Sequence, residues 1–75
     1  MNMTDKRETE QRAVEAVKQL LHVLKRNFVD TGIILDQFEE THSESELEES
    51  KHYGALVAGY FGLGEVIDKI KDILK

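Results

Sequence analysis

Seventy-five residues with no cysteine exclude a disulfide framework, thiol chemistry and thiolate metal ligands, and so short a chain is only marginally stable alone. A formal charge of −5 weighs against nonspecific nucleic-acid binding, which needs Lys and Arg to displace counterions. It leaves a basic protein, a cation or mimicry of nucleic acid as counterparts. Proline and tryptophan are also absent, and Glu, Lys, Leu, Val and Ala abound, which is a helical composition.

The first eight residues lack the apolar segment of a signal peptide, and no uncharged run reaches the roughly 20 residues needed to cross a bilayer. The expectation is one cytoplasmic helical domain over 1–75, with no membrane contact. Thr4 or Asp5 can cap a first helix spanning about 5–41, with Asp5 and Glu8 favoured by the positive end of the helix dipole. Apolar residues then recur at alternating steps of three and four: Val14, Val17, Leu21, Leu24, Phe28, Thr31, Leu35 and Phe38. Ala13, Leu20 and Ile34 widen that stripe on one flank. Lys6 with Glu10, and Glu8 with Arg12, have the spacing of helical ion pairs. Gly32 is the weak point. The register passes through it without slipping, so one long helix is expected, with a break near Gly32 giving three helices as the alternative.

Residues 39–50 hold a single apolar side chain, Leu47, and mark an acidic turn at about 42–45. Ser43 before Glu46, and Ser45 before Glu48, both match a capping box. A second helix is therefore expected over about 46–74, with its stripe at Tyr53, Leu56, Tyr60, Leu63, Ile67, Ile70 and Leu74. Its first half, Tyr53 to Gly64, is uncharged and holds four of the five glycines. Gly54, Ala55, Ala58, Gly59 and Gly62 fall opposite the large side chains, with Phe61 near them. Each glycine costs about 0.8–1 kcal/mol in a helix interior. A partner packed close against that smooth side would offset the cost. Two antiparallel helices cannot bury this much apolar surface, whereas two such hairpins can, as a four-helix bundle.

Three groups of residues invite a chemical reading. Glu39 to His42 and Glu49 to His52 are Glu-x-x-His pairs, the spacing by which carboxylate-bridged di-iron bundles bring a carboxylate and an imidazole onto one helical face. Helix one answers them with Leu35 and Phe38 rather than a carboxylate. Glu65 to Asp68 is an ExxD pattern, but no paired glutamates with a third glutamate three residues on precede it. Glu40, Glu44, Glu46, Glu48 and Glu49 make an acidic surface with no Lys or Arg among them, suited to docking a basic partner.

These readings give a non-enzymatic helical hairpin that dimerises and acts on a protein partner as regulator, chaperone or inhibitor. No cofactor and no catalytic residue is expected. The alternatives are a metal-binding bundle built on the two Glu-x-x-His pairs, with a di-metal carboxylate oxidase as its activity, and an acidic mimic that occupies a nucleic-acid-binding protein.

Overall fold

A computed structural model describes residues 3–75, with side chains from Lys6 onward. The described chain is all-α: α1 runs Met3–Thr41, α2 Glu44–Glu49 and α3 Lys51–Leu74, and α3 folds back along α1 as an antiparallel hairpin. α1 is continuous through Gly32. Thr31 Oγ1 donates to the Asn27 carbonyl oxygen at 2.7 Å, which keeps that hydroxyl satisfied inside the helix.

The expected second helix is divided. Ser50 is extended (φ −81°, ψ 116°) and serves both neighbours. Its backbone N–H donates to Leu47 O at 3.2 Å, closing α2, and its Oγ accepts from Tyr53 N at 3.1 Å, opening α3. Of the two candidate capping boxes, only the first forms. Glu46 N donates to Ser43 Oγ at 3.3 Å, and Ser43 N donates to Glu46 Oε1 at 2.9 Å. Ser45 lies within α2 instead.

The two long helices meet along the predicted stripes. Leu35 and Ile67 are buried, and Val17, Leu21, Leu24, Phe28, Phe38, Tyr53, Leu56, Val57, Tyr60 and Leu63 are half-buried. At the centre the Phe28 and Tyr60 rings stack, with centroids 4.3 Å apart and planes 11° from parallel. Each ring lies on a glycine of the opposite helix. A methyl group on Gly32 would stand 3.1 Å from Tyr60 Cε2, and one on Gly64 would stand 3.3 Å from Phe28 Cε2. Glycine at these two positions lets the rings close over backbone, which explains Gly32 without a hinge. Gly54, Gly59 and Gly62, by contrast, face open space.

This register sets Leu74 level with about residue 18 of α1, so the first four turns of α1 extend roughly 20 Å beyond α3. The molecule is a rod of 62 × 19 × 15 Å with a radius of gyration of 18.1 Å, where a compact chain of this length has about 11 Å. The ion pairs among the described residues are Glu15–Lys18 and Asp72–Lys75, both exposed and of little energetic weight. Lys6–Glu10 and Glu8–Arg12 are not among them.

Two glycine substitutions separate the roles. Gly32→Leu should lower stability by about 1–3 kcal/mol despite leucine's better helix propensity, because Tyr60 must leave its seat. Gly54→Ala should raise stability by about 0.5–1 kcal/mol. Urea unfolding followed by far-UV circular dichroism reads both, and equal effects would contradict the seating of Tyr60.

Candidate functional site: the two faces of the hairpin

Pairing two helices leaves two broad faces, and charge divides them. On one, α1 presents Ala13, Ala16, Leu20, Val23, Asn27, Thr31, Ile34 and Phe38, a repeat of three- and four-residue steps. α3 presents Ala55, Gly59, Gly62, Val66, Ile70 and Ile73 beside it. Thr31 shares a cleft with His52, Ala55, Leu56, Gly59 and Leu63, which places both rows on the same side of the molecule, with His52 at the end of the α3 row. Neither row contains a Lys, Arg, Asp or Glu. Five of its large side chains are open to solvent, from 45% exposed at Val66 to 79% at Ile73 with Leu20, Val23 and Ile34 between, while Phe38 and Ile70 are half-buried at its inner edge.

The opposite face carries a groove of about 540 Å³ over the Phe28–Tyr60 stack. Val29, Ile33, Val57 and Phe61 form its apolar walls, and Asp36 and Glu39 stand at the end nearest the turn. It continues past Phe28 and Val29 to Lys25, Asp68 and Lys71. Phe61 is 66% exposed and touches the Tyr60 ring edge-on at 5.9 Å between centroids.

The residues expected to form one smooth interface therefore separate. Ala55 and Gly59 line the cleft of the uncharged face with Gly62 on the same row, Phe61 lines the groove with Gly54 on its row, and Ala58 lies on the outer side of α3. Val29 and Ile33 escaped the sequence reading because they lie off the main stripe. The signal was present as an apolar i,i+4 pair level with Val57 and Phe61.

The Glu-x-x-His pairs are dispersed by local bonding. Glu39 Oε1 accepts from the Tyr53 hydroxyl at 2.8 Å across the hairpin. His42 lies beyond the end of α1 with its ring 4.0 Å from Phe38, and its Nδ1 is 2.9 Å from the Phe38 carbonyl oxygen. A carbonyl only accepts, so Nδ1 carries the proton in that bond. Thr41 Oγ1 donates to Gln37 O at 3.0 Å, so side chains rather than cations close the end of α1. Glu49 and His52 fall on either side of the Ser50 break, in different helices. Among the described residues no group of three or more His, Asp or Glu is gathered to hold a metal ion.

The acidic surface is formed by α2 and the end of α1. Glu40, Glu44, Glu46, Glu48 and Glu49 are exposed, and none of them enters an ion pair among the described residues. Glu46 alone is shifted, held below the usual carboxylate range by the Ser43 backbone N–H and hydroxyl, with the nearby His42 charge a smaller contribution. Tyr53 is pushed above the ordinary phenol value, chiefly because its hydroxyl donates to the Glu39 carboxylate and must keep its proton to do so.

Signs follow from these two bonds. The Tyr53 contribution is complete below the phenol's unfolded value near 10 and is lost as pH rises through the higher folded value. The Glu46 contribution is present above 4.5 and is lost as pH falls through the lower folded value. Ultraviolet titration of tyrosinate should show Tyr53 ionising late in the wild type and earlier in Glu39→Gln. An unchanged titration in that variant would remove the cross-hairpin bond. Ser43→Ala should cost about 0.5–2 kcal/mol in urea unfolding while leaving much of the acid limb in place, because the backbone N–H that chiefly lowers Glu46 remains.

Compared with family models, curated proteins and solved structures, the chain gives no match in any of the three, so what it does must be read from its own two faces.

Proposed function

We propose that this chain is a non-enzymatic interaction protein whose uncharged face packs on the same face of a second copy, completing a four-helix bundle. In that form it would act on a protein partner as regulator, chaperone or inhibitor. One observation carries the reading. A third of the residues are charged, yet two adjoining helical rows from Ala13 to Phe38 and from Ala55 to Ile73 contain no charge. A solvated face has no physical reason to exclude charge so completely, whereas an interface core is depleted in it.

Area supports the same conclusion. The chain exposes 6357 Å², about 1,700 Å² more than a compact monomer of this mass. A standard protein interface covers about 800 Å² per partner, so the surplus is large enough to be covered by another hairpin. The open glycines on this face fit too. A methyl group on Gly59 or Gly62 would meet nothing within 4 Å among the described residues, and their lack of side chains would let a second backbone approach.

Sedimentation equilibrium at high-micromolar concentration should return twice the 8.6 kDa chain mass. Val23→Asp and Val66→Asp each place two carboxylates in the bundle core. Either should weaken the dimer by on the order of 100-fold while leaving helix content intact. Gly59→Leu should give a monomer of undiminished helicity. A wild-type protein that sediments at the single-chain mass at that concentration would sink the proposal.

A further inference from the structure

The groove over the Phe28–Tyr60 stack lies on the side of the hairpin that the bundle leaves open. We infer that it is a docking site for a helix of another protein, one with an apolar stripe and with lysine or arginine in its C-terminal half. Its walls are Val29, Ile33, Val57 and Phe61, four apolar side chains on two rigid helices. Between Phe28 and Glu39 the groove runs roughly 17 Å, about three helical turns. That length and that lining suit an amphipathic helix laid in a groove, with Phe61 as the central anchor.

Charge along the groove chooses the occupant and its direction. At the turn end stand Asp36 and Glu39, with Glu40 adjoining, and the sequence has no Lys or Arg between Arg26 and Lys51. Glu39 is engaged through one oxygen by Tyr53, and Asp36 makes no ion pair among the described residues. At the far end are Lys25 and Lys71, beside Asp68. Helices favour cations near their C-termini and carboxylates near their N-termini. The partner helix therefore lies parallel to α1, with its cationic end at Asp36 and Glu39 and its N-terminal end at Lys25 and Lys71.

A second copy is the less suitable occupant. This step rests on the bundle described above: with one face already joined to a copy, a like-to-like contact on the opposite face would stack hairpins without closure. A soluble bundle with a groove on each outer side instead offers two equivalent sites for a different protein.

The test uses the full chain and a synthetic helical peptide of about 18 residues, long enough to cover the three turns of groove. It has a leucine stripe, glutamates in its N-terminal half and lysines in its C-terminal half. Two control peptides accompany it, one with those glutamates and lysines exchanged end for end and one with the stripe scrambled. Fluorescence anisotropy at physiological salt should show binding by the first peptide. The exchanged peptide should bind about tenfold or more weakly, and the scrambled one should not bind. Phe61→Ser, Ile33→Asp and Asp36→Lys should each weaken binding about tenfold or more. Glu46→Lys with Glu48→Lys and Glu49→Lys should change it less than the groove variants do, since those residues do not line the groove and exposed charges are screened by salt.

Equal binding of the scrambled peptide, or an equal loss in the triple-lysine variant, would show mere attraction to acidity and overturn the assignment. So would a fall in the protein's own oligomeric mass in Phe61→Ser, because a second copy would then fill the groove. Absence of binding by the first peptide overturns it outright. The Val23→Asp monomer should bind the peptide as the wild type does, so failure of the bundle and failure of the groove are read separately.

Discussion

The hairpin depends on one contact, the stack of Phe28 on Tyr60 with each ring seated on the other helix's glycine. Aromatic pairs of this kind are worth about 0.5–1.5 kcal/mol beyond the area they bury. Here their larger effect is on register. A helix can slide by one turn along an apolar seam at little cost when its side chains are alike. Two rings that must each find a glycine four residues from the other ring permit one alignment. That alignment brings Tyr53 to Glu39 and gives both faces their composition.

The two faces then differ in what burial would cost. Covering the uncharged rows desolvates apolar side chains, Asn27, Thr31 and little else, which favours a contact as lasting as a core. Covering the groove also draws in Asp36, Glu39 and Lys25, whose desolvation must be answered by opposite charges. An occupant without those charges would be disfavoured, so as a docking site the groove would be the more selective surface and the weaker one.

Much of the fold was legible because its signals are periodic. The heptad-like stripe from Val14 to Phe38 specified α1 through Gly32, and Ser43 with Glu46 specified the start of α2. Ser50 was not read as a break, since one serine has no periodicity and its capping role depends on backbone angles on both sides. The glycines misled for a related reason. A cost counted along one helix says that something must offset it without saying whether the same chain does. Gly32 and Gly64 are matched by the chain's own rings, whereas Gly54, Gly59 and Gly62 are not. Glu39 and His42 fit a ligand spacing on a wheel, and only the three-dimensional positions of Tyr53 and Phe38 show their other engagements.

The first four turns of α1 extend past the end of α3. Without tertiary contacts, a helix shorter than about 12–15 residues is marginal in water, because each turn is worth little against the entropy of ordering it. α1 is thus one element in geometry and two in thermodynamics. From about residue 18 onward it shares the fate of the hairpin, whereas the preceding segment can open and close with no loss of the core. Ala13 and Ala16 stand on that independent part, at the end of the uncharged face. Association would bring the assembly its last increment of order there, and the gain in helix on pairing would be concentrated in a segment that the hairpin itself does not stabilise.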